Sequence, residues 1–209
     1  MEKYFDSLEP ITVINRDGIE KTAEEKKKQV DSQIMDFIKG IKPDKDKEIY
    51  AYVLAMGDDR WGSNSNSDLF PYDQLNPHDT NEYGHETFLK AGLYNHHKNK
   101  NPKLSLGNIV MSIFNPIMHR VELIKRVDRQ LCKERDTCNI YDRLLDGELI
   151  PTSIGCRVSH DSCSVCHNKA KNKTEYCDHI KNSLGKLMPN GIKVMMINVK
   201  PVFFDDSFV

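Results

Sequence analysis

The chain has 209 residues, and its formal net charge of −1 gives no excess of basic residues that would attract nucleic acid or an acidic membrane surface. Hydrophobic residues make up 38% and charged residues 29%, as in a globular protein, and no apolar run approaches the roughly 20 residues that span a bilayer. The N-terminal sequence MEKYFDSLEP has no basic region followed by an apolar run, so no signal peptide is expected. Six cysteines in such a chain favour a reducing cytoplasm and metal binding over a disulfide framework.

The first third of the chain predicts one helix and one strand after an irregular or short β entry. Thr22 and Glu25 have the spacing of a capping box, and apolar residues then recur at helical spacing as far as Gly40. This pattern predicts a helix over 23–40. The run IYAYVLAM is rich in β-forming residues and predicts a buried strand over 49–56.

A polar, turn-rich segment over 57–79 is longer than an ordinary connection and predicts a packed or functional loop. Asn64, Asn66 and Asp68 alternate in a way that is similar to a calcium loop, but the glycine and the terminal glutamate of an EF-hand are missing. Side chains that cap their own backbone account for these residues better, so calcium is not expected here.

The rest of the chain predicts strands interrupted by a few helices, without regular βαβ alternation. This pattern favours an α+β fold, a β-barrel or sheet with flanking helices, over a doubly wound fold. The predicted elements are a short helix over 85–94, strands over 103–115 and 119–127 that pair antiparallel, a helix over 129–147, a strand over 149–158, and two short strands within 193–209 that meet at Pro201.

The segment CSVCHNKAKNKTEYCDHI has the spacing of a metal site. Cys163 and Cys166 form a Cys-x-x-Cys pair, and Cys177 and His179 follow about ten residues later. Thiolate and imidazole ligands suit a structural Zn²⁺, and four ligands leave no open position for catalysis. Cys177 and His179 would point apart on a regular helix, so both can bind only in a turn or at a helix start. The alternative fourth ligand is His167 or His160.

Ser153 lies near the end of an apolar strand in the sequence PTSIGCRV. A glycine two residues after a nucleophilic serine allows close approach of a peptide and leaves backbone N–H groups to face an oxyanion. On its own this Ser-x-Gly pattern is weak, because most serines in strands only form hydrogen bonds. Its significance depends on a histidine, His97, 56 residues earlier and on the acidic sequence FFDDSFV about fifty residues later.

The order of these segments resembles the tailed-phage prohead (capsid maturation) proteases, which share their fold with the herpesvirus assemblins. In that family a histidine precedes an IG-x-V strand, a G-x-L segment leads into an S-x-G strand, and an acidic residue lies in a late L-x-E-V-S-x-V strand. The resemblance covers about residues 85–209. The matching segments here are His97 before Leu106-Gly107-Asn108-Ile109, Gly147-Glu148-Leu149 before Ser153-Ile154-Gly155, and Asp205-Asp206-Ser207-Phe208-Val209.

The resemblance implies a mainly antiparallel, assemblin-like β-barrel with flanking helices, formed as one protease-like domain over 1–209. It implies a serine protease in which Ser153 attacks the peptide, His97 moves the proton and Asp205 orients the imidazole. Gly155 and Arg157 are the candidates for the oxyanion site. The zinc-stapled insertion over 160–185 is not general in the family and is a feature of a subgroup.

Several alternatives stay open at this point. His96 could replace His97, Asp206 could replace Asp205, and Cys156 is an imaginable nucleophile although buried cysteines are usually small core residues. The chain could also be an inactive, protease-like structural protein of the virion. A zinc-stabilised nucleic-acid-binding module is favoured by two basic loops but disfavoured by the near-neutral charge and the lack of interleaved aromatic residues.

The resemblance also implies where the protein acts and on what. Its substrates would be scaffold and major capsid proteins, met in the host bacterial cytoplasm inside the procapsid or virion head. The protein would need no organic cofactor, would not bind a membrane, and would work as a homo-oligomer or packed within the scaffold.

Overall fold

The computed structural model describes residues 2–7, 12–14, 32–116 and 118–209. The helices are α1 Ser32–Gly40, α2 Tyr72–Leu75, α3 Arg129–Arg135, α4 Ile140–Leu145 and α5 Asp178–Ser183. The strands of the first half are β1 Glu2–Ser7, β2 Thr12–Ile14, β3 Glu48–Gly57, β4 Asp68–Leu69, β5 Gly92–Asn95 and β6 Gly107–Asn115. Those of the second half are β7 Arg120–Asp128, β8 Thr152–Arg157, β9 His160–Cys163, β10 Lys169–Ala170, β11 Met196–Val199 and β12 Val202–Phe208.

Eight strands form one large sheet in the order β1-β8-β12-β5-β6-β7-β3-β2. The sheet curls into a half-barrel, and β1 and β3 contact each other although they belong to opposite ends of this order. Its pairs are antiparallel except for β12 with β5, which run parallel. The α+β class is therefore as predicted, whereas the sheet is a curled half-barrel that includes one parallel pair.

The inner face of the large sheet carries the main core. Alternate residues of β3, among them Ile49, Ala51 and Val53, are buried, because successive side chains of a strand point to opposite faces. They pack with residues of β7 and β12 such as Leu123 and Phe208. The predicted strand over 49–56 is thus correct, and only one of its faces is fully buried.

Helix α1 covers part of the outer face. Phe37 and Ile38 pack against Ile124, Tyr50 and Val110 on β7, β3 and β6. The structure confirms the end of the predicted 23–40 helix, since α1 stops at the predicted Gly40. Its predicted start and capping box lie outside the described residues.

The small sheet has the order β10-β9-β11-β4, and it draws strands from beyond the predicted 160–185 insertion. Among the described residues, the lobe formed by this sheet and α5 has a separate apolar cluster with three buried members, Cys163, Ile180 and Val194. The partly buried residues packed against them are Val165, Tyr176, Cys177, Leu184, Met188 and Met196. Such a small cluster buries little apolar surface on its own.

Two predicted helices differ from the structure. Residues 85–94 form a 3₁₀ turn, His85–Lys90, and then β5, since Gly92 pairs with both β12 and β6. The predicted helix over 129–147 is broken into α3 and α4. Asp136 causes this break, because its carboxylate accepts the N–H groups of Cys138 and Ile140 in place of a continuing helix.

The predicted strands over 119–127 and 149–158 correspond to β7 and β8, and the two C-terminal strands meet at Pro201 as predicted. Strand β6 begins later than predicted, after a 3₁₀ turn at Pro102–Leu104. No helix in the described part of the chain is both long and apolar enough to cross a membrane.

Candidate active site and metal cluster

Three neighbouring strands of the large sheet bring the predicted triad residues together. Strand β12 lies between β8, which carries Ser153, and β5, which leads into the turn that carries His97. On β12, Asp205 and Ser207 lie two residues apart and therefore share one face of the sheet. The register places Ser207 directly opposite Ser153.

The three side chains form a continuous hydrogen-bonded chain. His97 Nε2 lies 2.7 Å from Ser153 Oγ, and His97 Nδ1 lies 2.5 Å from Asp205 Oδ2. A carboxylate at Nδ1 can accept an N–H there, which leaves Nε2 as an acceptor for the serine hydroxyl. This arrangement can remove a proton from Ser153 and return it to a leaving group.

The three hydrogen-bonded side chains differ in burial. Asp205 is 0% exposed and Ser153 is 1% exposed, whereas the side chain of His97 is 24% exposed. Solvent therefore reaches the three residues from the side of His97. A carboxylate that is shielded from water interacts more strongly with the imidazole beside it.

The neighbouring residues His96 and Asp206 make other contacts. The side chain of His96 is exposed and places Nε2 3.9 Å from Cys138 Sγ. Asp206 points to the inner face of the sheet, where its Oδ2 lies 2.6 Å from Lys125 Nζ. The contacts with Ser153 thus belong to His97, and the carboxylate on the imidazole is that of Asp205.

Lys125 was not anticipated, although its position in β7 carries a signal. Residues Val121, Leu123 and Val127 alternate with it on the buried face, so a lysine at 125 must bury its charge. Lys125 and Asp206 are both 0% exposed. Burial lowers the pKa of Lys125 and raises the pKa of Asp206, while the opposite charge of each partner favours the ionised form of the other.

The two candidates for an oxyanion site, Gly155 and Arg157, have a less clear geometric relation to Ser153 than His97 has. Gly155 lies in β8 between β1 and β12, so its N–H points along the sheet toward a neighbouring strand. Arg157 is four residues from Ser153, about 13 Å along an extended strand. Its guanidinium lies 4.5 Å from the ring centroid of Phe204. An oxyanion role for either residue stays a prediction.

The structure also groups Cys163, Cys166, Cys177 and His179. One ligand atom from each residue lies within 4.8 Å of the others, so the cluster could hold a metal ion. Cys177 immediately precedes α5 in an extended conformation, and His179 lies in its first turn. This helix start lets the two ligands face one point, which a regular helix would prevent.

The first Cys pair is held in a tight turn after β9. The backbone N–H of His167 donates to the carbonyl of Cys163, and the N–H of Val165 points to Cys163 Sγ at 3.4 Å. His167 itself has a positive φ of 57° and is not part of the cluster of ligand atoms, and neither is His160. Three cysteines and one histidine are a ligand set typical of Zn²⁺.

The segment over 57–79 contains no such cluster among its described residues. Asn64 Oδ1 accepts the N–H groups of Asn66 and Asp68, as expected for side chains that cap their own backbone. Cys156 is buried in the main core, as expected for a small apolar residue.

No protein-family model matches this chain, and no curated protein matches it in sequence. Among solved structures, the chain is similar to the bacteriophage T4 capsid assembly protease, gp21, with a TM-score of 0.51 and 11% sequence identity. The match covers 100% of this chain and 96% of that protein. The chain therefore shares the fold of a phage capsid assembly protease over its full length.

Proposed function

We propose that this chain is a serine endopeptidase that processes scaffold and capsid proteins during prohead maturation. The observation that carries the proposal is the chain of contacts from Ser153 through His97 to Asp205, at 2.7 Å and 2.5 Å. The fold shared with a phage capsid assembly protease supports the same activity. The protein would act inside the procapsid, on polypeptide substrates that are packed around it.

In the proposed reaction, Ser153 Oγ attacks the carbonyl carbon of the scissile peptide while its proton passes to His97 Nε2. The protonated imidazole then gives this proton to the leaving amine, and an acyl-enzyme remains on Ser153. A water molecule hydrolyses the acyl-enzyme by the same proton route. Asp205 accepts the Nδ1–H of the imidazole and stabilises the imidazolium that forms in each step.

We also propose that Cys163, Cys166, Cys177 and His179 bind a structural Zn²⁺. The four ligand atoms are grouped closely enough for one ion. The bound ion would cross-link the turn after β9 to the start of α5 and would take no part in peptide cleavage. Such a cross-link would stabilise this lobe, because its apolar cluster has only three buried members, Cys163, Ile180 and Val194.

The decisive experiment is co-expression of the chain with scaffold and major capsid proteins from the same genome. Cleavage products should form with the wild-type chain and be lost in Ser153→Ala, with an expected fall in rate of at least about 10⁴-fold. Ser159→Ala is the matched control, because this exposed serine lies on the same segment outside the site. Products that persist in Ser153→Ala would contradict the proposal.

A second pair of variants separates the two adjacent histidines. His97→Ala should abolish cleavage because it removes the acceptor for the serine proton. His96→Ala should retain cleavage, since its exposed side chain does not contact Ser153 or Asp205. Circular dichroism of each purified variant would show that lost cleavage does not reflect a lost fold.

A further inference from the structure

The carboxylate of Asp205 accepts more hydrogen bonds than the one from His97. Asn99 Nδ2 donates to the same oxygen, Oδ2, at 2.9 Å, and Ser207 Oγ donates to the other oxygen, Oδ1, at 2.7 Å. Donors on both oxygens fix the rotation of a carboxylate. The order of the sequence motifs does not indicate that Asn99 contacts Asp205. Ser207 could be predicted to lie beside Asp205, because residues two apart on a strand share one face.

Ser207 makes a second contact, with the main chain of His97. The backbone N–H of His97 donates to Ser207 Oγ at 3.1 Å, and the same hydroxyl donates to Asp205. One side chain thus joins the backbone of the proposed base to the carboxylate that orients its ring. The register also places Ser207 between Ser153 on β8 and Tyr94 on β5.

The turn that carries His97 needs such support. His96 and His97 have φ values of 45° and 56°, in the left-handed region that disfavours residues with a side chain. Such residues persist only where surrounding contacts hold them. The main-chain contacts of the turn are His96 N–H to the carbonyl of Phe208 and Lys98 N–H to the carbonyl of Asn95, and Ser207 adds the contact to His97.

We propose that Ser207 and Asn99 are positioning residues of the Ser153 site. Ser207 holds the backbone of His97 and one oxygen of Asp205 in a fixed relation, and Asn99 holds the oxygen that His97 uses. This inference rests on the proposed function, and it adds two residues that act on the reaction through His97 and Asp205.

Other groups around Asp205 and His97 also affect the charge of the site. On the inner face of the sheet these are Asp206 of β12 and Lys125 of β7, which form a close ion pair.

On the other side, beside the turn that carries His97, lie His96 and the loop that contains Asp136 and Cys138. Asn95 of β5 donates to Asp136 and so holds this loop against β5. Burial raises the pKa of the Tyr94 phenol on β5, and the nearby charge of Asp205 adds to this rise. All of these stay unchanged in the variants below.

The test compares Ser207→Ala and Asn99→Ala with the wild-type chain on a peptide that spans a mapped cleavage site. Each variant should lower kcat about tenfold and leave KM unchanged, because each removes one hydrogen bond to a buried charge. With fewer donors, the charge of Asp205 stabilises protonated His97 more. The acidic limb of the pH–rate profile should therefore move to higher pH.

Two further variants distinguish positioning from a general loss of structure. Ser207→Thr keeps the hydroxyl and should recover much of the rate that Ser207→Ala loses. Lys98→Ala removes an exposed side chain from the same turn and should leave kcat and the pH profile as in the wild type. A variant that is merely less well folded would lose activity without a shift of the acidic limb.

The outcomes separate this inference from the proposed function. If Ser153→Ala abolishes cleavage while Ser207→Ala and Asn99→Ala keep wild-type kcat and pH dependence, the positioning role is wrong and the protease proposal stands. If Ser153→Ala itself retains cleavage, the proposed function fails first. An unshifted acidic limb in both alanine variants would overturn the inference even if their rates were reduced.

Discussion

The Ser153 site gathers polar residues from distant parts of the chain, whereas the Cys3His cluster lies within one segment, 163–179, and different forces hold the two together. The Ser153 site lies on the large sheet, where β12 pairs with both neighbouring strands and covers an extensive apolar core. The Cys3His cluster lies in a lobe whose own apolar cluster has only three buried members, Cys163, Ile180 and Val194, with partly buried residues around them. The first arrangement follows from strand register, and the second would require a bound ion.

This difference has a physical consequence for each site. Burial of apolar surface contributes about 25 cal/mol per Å², so a large core can fix polar groups on its strands without further cross-links. A small lobe cannot offset the entropy of ordering its loops in this way, and metal binding then becomes part of its folding free energy. We therefore expect perturbations of the two regions to be separable.

The largest effect should come from removal of the metal ligands. The wild-type chain should contain about one zinc equivalent, and Cys163→Ser should lose it, since structural zinc contributes roughly 10 kcal/mol or more to small folded units. Hydrogen exchange over 160–199 should then speed up while β3 and β7 stay protected. Cys138→Ser is the matched control, because this half-buried cysteine lies outside the cluster. A wild-type chain that contains no metal and still shows slow hydrogen exchange over 160–199 would contradict the proposal that a bound ion stabilises this lobe.

The next effect should come from the ion pair inside the large sheet. Lys125→Met leaves Asp206 buried without its cation and should lower the free energy of unfolding by about 3–5 kcal/mol. The double variant Lys125→Met with Asp206→Leu should recover most of this loss, since it removes both charges. Urea denaturation of the single and double variants measures the difference.

The neighbouring Arg126 provides the control for Lys125. Its side chain is 40% exposed and lies 3.6 Å from Glu48, so Arg126→Met should cost at most about 1 kcal/mol. If the double variant were no more stable than Lys125→Met alone, the loss would come from packing and not from an unpaired charge.

The smallest effect concerns pH and His85, on the 3₁₀ turn that packs against β6. Burial lowers the pKa of His85 below its ordinary value of 6.5, and its Nδ1 lies 3.2 Å from Ser112 Oγ. The folded state thus favours the neutral imidazole. This stability is present above the unfolded pKa and is lost as the pH falls through 6.5 toward the folded pKa.

We expect the free energy of unfolding to fall by up to about 1 kcal/mol between pH 7.5 and 5.5 through this residue. His85→Gln should show a flatter pH dependence than the wild type in denaturation at the two pH values. His78→Gln changes an exposed histidine and should keep the wild-type slope. Equal slopes in all three proteins would show that His85 does not contribute.

The strands formed by long runs of β-forming residues could be predicted from the sequence, and the segments with competing local contacts could not. Strands β3, β7 and β12 correspond to runs of β-forming residues and, for β12, to the join at Pro201. Burial alternates along β3, whereas consecutive residues on both faces of β7 and β12 are buried. The sequence predicts a short helix over 85–94, whereas the structure has a 3₁₀ turn followed by strand β5. The pairing of β5 depends on β12, which lies more than a hundred residues away.

For the site, the order of the motifs indicated a histidine, a serine and an aspartate. It did not indicate whether His96 or His97, or whether Asp205 or Asp206, makes the contact. The choice between Asp205 and Asp206 depends on which face of β12 each side chain occupies. That face is decided by the bulge between Phe203 and Asp205 and by the register with β8. Neither can be read from a sequence of two consecutive aspartates.

The sequence by itself indicated the α+β class and the candidate metal ligands, through the pattern of strands and helices and the spacing of cysteines and histidines. Its resemblance to the prohead proteases indicated the three residues of the proposed triad. Only the tertiary structure decided that His97 lies between Ser153 and Asp205, that Lys125 crosses the core to Asp206, and that Ser207 and Asn99 contact the same carboxylate. Apart from the contact between Ser207 and Asp205, these contacts join segments far apart in sequence. Their geometry depends on strand order and register, which are properties of the folded sheet and not of any local segment.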